Sequence, residues 1–110
     1  MEGFVKGDVV VLPFPFSNLA ASKRRPALVV AALQGNDVIL CQITSQARPD
    51  DYSITLEHSD FKQGALSLTS AICPNKLFTA DESLIEYKTG SLKRSKIDEA
   101  IESICSILQK

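Results

Sequence analysis

SKRRPALVVAA, residues 22–32, passes from three consecutive cations, Lys23, Arg24 and Arg25, to an almost wholly apolar run with only Pro26 between them. An apolar run this short, rich in β-branched residues, predicts a strand over 27–32 that is buried on both faces. Pro26 suits its first position, where no ladder donor is needed. Arg25 then stands where a loop enters the core, carried by a rigid element yet within reach of solvent. That placement suits either a surface ion pair or an anion-binding site.

Upstream, GDVVVLPF predicts a first strand over 9–12 that stops in LPFPFSNLAASK, where Pro13 and Pro15 remove donors and leave Phe14 and Phe16 in a loop. Downstream, a turn at QGND returns the chain as DVILCQI, so the second and third strands form a hairpin. YSITLE alternates Tyr52, Ile54 and Leu56 with polar residues, the period of a half-exposed strand. HSDFKQGALS reads as a short helical turn or loop ending at Gly64. Two more short strands follow, AICPNKLFT, whose Pro74 assigns it to an edge or a bulge, and LIEYKTG.

The last twenty residues change period. Ile97, Ala100, Ile101, Ile104, Cys105 and Leu108 fall on one helical face, with Ser95 as N-cap and Asp98 and Glu99 in the first turn. Five or six short strands and one terminal amphipathic helix predict a mainly β, α+β fold, a small curled antiparallel barrel or two-layer domain.

Composition bounds the function. A chain of 110 residues, 45% hydrophobic and 23% charged, is expected to form one soluble domain spanning 1–110. No signal-like or bilayer-length apolar segment is visible, so no membrane association and a cytoplasmic location are expected. Cys41, Cys73 and Cys105 match neither a disulfide framework nor a zinc spacing, and read as buried free thiols; no metal is expected. Net charge is −1, which excludes a generally basic nucleic-acid surface. Residues 1–49 nevertheless carry five cations against three carboxylates, +2, and residues 50–110 seven against ten, −3. An anion is therefore bound locally, near Arg25 and Arg48.

Nucleotide-fold and zinc motifs are absent from the sequence, and the single histidine, His58, lies at a strand end beside Glu57 and Asp60, where it reads as incidental. What remains is an ordered set: GDVVVLPF from Gly7, RPALVV from Arg25, ITSQ from Ile43, NKLFTAD from Asn75 and the terminal helix. That set, covering essentially the whole chain, resembles the PemK/MazF family of toxins from bacterial toxin–antitoxin pairs.

The resemblance implies a homodimeric SH3-like barrel that cuts single-stranded RNA without a metal ion or other cofactor and is restrained by a cognate antitoxin protein. It assigns Arg25 and Thr44 as catalytic. In metal-free RNA cleavage the substrate's own 2′-hydroxyl attacks phosphorus, so negative charge gathers on phosphoryl oxygens. Arg25 supplies the compensating charge and Thr44 holds a phosphoryl oxygen. Ser45 is a second contact, and Gln46 follows it along the RNA path. Lys23 and Arg24 assist backbone binding, and Phe16 offers a ring for base stacking. Two departures stand out. The SNLAASK loop lacks the histidine or glutamate that many members carry, leaving the general base unassigned, and Cys73 and Asn75 occupy RNA-groove positions where related branches place an arginine and an acid. Two other activities fit the same barrel: a CcdB-type toxin that inhibits gyrase by protein contact, and a decayed toxin that only binds its antitoxin.

Overall fold

The computed structural model describes residues 3–14, 23–45 and 52–110. Its strands are β1 (Asp8–Phe14), β2 (Lys23–Ala32), β3 (Asp37–Thr44), β4 (Ile54–Leu56), β5 (Phe61–Gly64), β6 (Ser70–Asp81) and β7 (Tyr87–Leu92), followed by helix α1 (Arg94–Leu108). All pair antiparallel in one sheet of order β4-β6-β3-β2-β1-β7-β5.

The expected β2–β3 hairpin is present. Gly35, at φ +78°, makes the turn, and the Leu33 amide donates to the Asp37 carbonyl at 3.0 Å. Other elements run longer than their sequence signals. β1 continues through Pro13 and Phe14, which the prolines had placed in a loop. Phe14 is buried and meets Phe78 edge to face with centroids 5.1 Å apart, so ring burial outweighs the donor lost at Pro13. β2 begins at Lys23, three residues before Pro26, so the three cations are strand residues. Pro74 lies in a bulge: β6 is flanked by β4 and β3, and its register against β3 jumps from Ile43–Ile72 to Cys41–Leu77. FKQG, read as turn or loop, forms β5 after a 3-10 turn at His58–Asp60.

Apolar side chains fill both sheet faces. Val10, Leu12, Phe14, Ala27, Val29, Val38 and Leu40 pack on one face beneath Phe4, Phe78 and Ile85. Val9, Leu28, Cys41, Ile43 and Ile72 pack on the other beneath Ala100 and Ile104 of α1. Ile54 and Leu56 from one edge strand and Phe61 from the other share that second cluster, so the sheet is curled around one core that both edge strands line. Lys96 of α1 pins this seam, with Nζ 3.2 Å from the Thr55 carbonyl, 3.7 Å from the Asp60 carboxylate and 2.9 Å from Glu99.

The helix starts two residues earlier than its sequence signals. Lys93, not Ser95, is the N-cap, and Asp98 lies beyond the first turn, paired with Arg94 at 3.3 Å. Cys105 and Leu108 are exposed, correcting their place in the apolar stripe and the expectation that all three thiols are buried. Cys105 is one residue, about 100° of helical rotation, from the buried Ile104. No helix among the described residues is long and apolar enough to cross a membrane.

Candidate functional site

The Gly-Asp opening of the first strand is structural. Gly7, at φ +99°, donates its amide to the Val29 carbonyl at 2.8 Å and accepts from the Leu92 amide at 3.0 Å, and a Cβ there would stand 2.5 Å from Ile97 Cδ1. Asp8 is only 4% exposed. Its carboxylate accepts from the Val5 amide at 3.0 Å and the Ser91 hydroxyl at 3.2 Å, with Lys88 Nζ 3.5 Å away.

The other end of the β1–β2 pair is open. β2 and β3 pair through Ala27–Gln42, and their ladder stops there. The next residue of β2 is Pro26, which has no N–H to add a rung. Beyond this point the strands part: β2 stays with β1 as far as Lys23–Phe14, while β3 stays with β6 through Thr44–Ala71. Continuing the interrupted register would put Arg25 opposite Thr44 and Arg24 opposite Ser45. The space between the diverging ends is a cleft of about 270 Å³ lined by Lys23, Arg24, Arg25, Pro26, Ile43, Thr44 and Ser45. Strand alternation puts Arg25 and Thr44 on the face of Ala27, Val29 and Leu40, so both project from one side of a rigid sheet.

The three cations differ in their partners. Arg24 is ion-paired with Glu86, a side-chain hydrogen bond that holds the guanidinium still further above its ordinary pKa. Arg25 and Lys23 make no ion pair with any described residue. Arg25 is half-buried at the cleft wall and Lys23 is exposed at its mouth. The cleft is therefore electropositive where Arg25 faces it, with a threonine hydroxyl on the facing strand.

The structure thus brings together Arg25, Thr44, Ser45, Lys23 and Arg24. It does not bring Cys73 or Asn75 into the cleft. Both lie in the β6 bulge, where residues 73–76 stand against Gln42 alone; Cys73 is buried and Asn75 exposed. The Cys73 carbonyl accepts from Cys41 Sγ at 2.9 Å, and burial pushes the Cys41 thiol up to about 12. Phe16, Gln46 and Arg48 lie outside the described residues, as does the loop lacking a histidine or acid. His58 is exposed in its 3-10 turn. Among the described residues, no group of three or more His, Cys, Asp or Glu could hold a metal ion. Sequence reasoning missed Glu86, whose contact with Arg24 spans 62 positions and leaves no local signal.

Two other cavities are smaller. One, of about 210 Å³, lies between Tyr52 and the end of α1, with Lys110 Nζ 5.5 Å from the Tyr52 ring centroid. The other, of about 190 Å³, is lined by Leu56, His58, Phe61 and Leu68 among others. Neither gathers cations as the β2–β3 cleft does.

Comparison of the sequence with curated proteins gave no match. The fold has clear neighbours among solved structures. A MazE–MazF complex from Deinococcus radiodurans aligns with TM-score 0.78 at 20% identity, covering 98% of each chain. MazF alone from the same organism gives 0.78 at 19% identity over 100% of both chains. An endoribonuclease in complex with its cognate antitoxin from a mycobacterial species gives 0.76 at 14% identity, over 96% of this chain and 95% of that one. A family model describing the PemK-like, MazF-like toxin of type II toxin–antitoxin systems matches residues 5–108. With the match running from ahead of the Gly-Asp turn to the last turn of α1, the chain belongs to the PemK-like, MazF-like toxin family.

Proposed function

We propose that this toxin is an endoribonuclease, a single catalytic domain that cuts single-stranded RNA without a metal ion, the substrate's 2′-hydroxyl acting as nucleophile. The observation that carries the reading is the cleft at the diverging ends of β2 and β3, where Arg25, half-buried and without an ion-pair partner among the described residues, shares one sheet face with Thr44. In the reaction the 2′-oxygen forms a bond to phosphorus as the bond to the 5′-oxygen breaks. The 2′-hydroxyl loses a proton, the departing 5′-oxygen gains one, and nothing is oxidised or reduced. Arg25 neutralises the charge that builds on the phosphoryl oxygens and the Thr44 hydroxyl holds one of them in place. Ser45 and Lys23 extend the contact to flanking phosphates.

The products are then a 2′,3′-cyclic phosphate and a 5′-hydroxyl. Cleavage should persist in EDTA, and a substrate with a 2′-deoxy sugar at the cut should bind and remain intact. Cleavage of the deoxy substrate, or a requirement for magnesium, would overturn the mechanism. The working form is a homodimer held in check by an antitoxin, a reading supported by structural neighbours solved with MazE or a cognate antitoxin. Sedimentation showing only monomer at micromolar concentration would remove the dimer. Equal binding of the neighbouring small reading frame's product to Arg25→Glu would remove an antitoxin seated over the cleft.

A further inference from the structure

On the face of β3 that carries Thr44, successive residues are Val38, Leu40, Gln42 and Thr44. Val38 and Leu40 are buried in an apolar cluster, and Gln42 is half-buried where that cluster ends. Gln42 stands opposite Ala27 in the last rung of the β2–β3 ladder, one rung behind the cleft and on the same face as Arg25 and Thr44. Thr44 is two residues along the same strand, roughly 7 Å away, and Arg25 is a diagonal neighbour across the rung, within reach of a long side chain. Ala27 presents only a methyl group, so nothing on β2 at that rung competes for the amide. On the other side the β3–β6 register jumps, and residues 73–76 stand against Gln42 alone, with Asn75 and Lys76 exposed. A carboxamide at the margin of an apolar cluster costs free energy unless its donor and acceptor are met. Among the described residues no hydrogen bond reaches the Gln42 side chain, and no buried side-chain nitrogen or oxygen is left without a partner, so the amide meets solvent.

We infer that Gln42 is a base-reading residue of the cleft, its carboxamide pairing with the edge of the RNA base that adjoins the phosphate held by Arg25 and Thr44. The inference rests on the nuclease reading and deepens it by naming a residue that selects the sequence to be cut. An amide sets a donor nitrogen beside an acceptor oxygen, the pattern that meets a base edge in two hydrogen bonds. Unpaired bases leave that edge free. Arg25, Thr44 and Lys23 act on phosphate, which is the same in every nucleotide, so they position the strand without distinguishing one base from another. Gln42 touches no reacting bond; it decides which base rests beside the cut.

The test uses the full-length protein and short single-stranded RNAs of randomised sequence, with the 5′ ends of the fragments sequenced so that base preference is read at every position around the cut. Gln42→Met keeps the length of the side chain and removes its donor and acceptor. It should flatten the preference at one position beside the cut by about tenfold and leave the other positions as in wild type. Gln42→Glu keeps the shape but only accepts, so at that same position preference should move toward bases that present an amino group. Its carboxylate also lies diagonal to Arg25, so the rate falls and base preference is the readout. Erasing the exocyclic group of the preferred base at that position should cost the wild type about tenfold as well, and cost Gln42→Met nothing further; if Gln42→Met does not fold, the wild type and Gln42→Glu decide. Wild-type preference at every position in the variants, or preference blurred at all positions alike, would overturn the base reader while leaving the nuclease intact. So would a wild type that cuts RNA with no preference beside the cut. A wild type that cuts no RNA would remove both readings together.

Discussion

Asp8 and Arg25 stand at opposite ends of the same β1–β2 ladder, and their surroundings are opposite too. Asp8 is buried and meets an amide, a hydroxyl and an ammonium drawn from within the chain. Arg25 is also carried by a strand, but no described carboxylate answers it, and the neighbouring strand has moved away to leave a cleft. A buried charge whose partners are all internal joins elements together; here it ties the first strand to β7 and the N-terminal turn. A cation on a rigid element with a cleft before it is arranged for something that comes from outside.

If that contrast is right, the two ends fail differently when mutated. The largest effect is expected at Arg25→Ala: RNA cleavage should fall roughly 10²–10³-fold while the thermal midpoint hardly moves, and Arg25→Lys should recover little because a point charge lacks the planar fork. A large loss of stability in Arg25→Ala would erase the distinction. Asp8→Ala should do the reverse, costing about 1–3 kcal/mol in denaturant unfolding by stranding the Ser91 hydroxyl and the Val5 amide, with per-molecule cleavage by the folded protein unchanged.

A second internal contact sharpens the comparison through pH. Burial holds the Cys41 thiol up at about 12, above its ordinary value of 9.0. Below about pH 9 the thiol is protonated in both states and its contribution to the fold is complete. As pH rises toward 12 the unfolded thiol ionises and the buried one does not, so stability is lost, by about 1 kcal/mol between pH 9 and pH 10. Cys41→Ala should flatten that part of the profile, and an unchanged slope would show that other groups produce it. The smallest effect belongs to Lys23→Gln. Lys23 is exposed at the mouth of the cleft, so its loss should weaken RNA binding only a few-fold, evenly across sequences, and reduce the salt dependence by about 0.7 in log–log slope.

Much of this arrangement is legible in the amino-acid sequence. Apolar runs mark the central strands, Gly35 marks the hairpin turn, and the hairpin itself implies that Arg25 and Thr44 are near neighbours despite their separation in sequence. Other features depend on contacts between distant segments. Phe14 extends β1 because Phe78 waits for it, and Phe61 begins a strand because Leu92 of β7 stands opposite. Neither partner is visible from the local pattern. Pro74 signals the β6 bulge, but its effect, keeping Cys73 and Asn75 away from the cleft, follows only from the register with β3. In sequence, Glu86 and Tyr87 are ordinary polar positions in a short strand. Only the path of β1 between β2 and β7 brings Glu86 to Arg24.

The curled sheet has a last implication, for self-association. β4 and β5 are its two outer strands, yet they follow each other in the chain, separated by residues 57–60 alone. The connection that carries the backbone from one margin of the sheet to the other also holds those margins side by side, with Lys96 fastened across them. Each margin is only three or four residues long. The short outer strand β4 covers only the first residues of β6, and residues 77–81 of β6 pair, among the described residues, with β3 alone, so strand addition by another copy has its opening on that stretch.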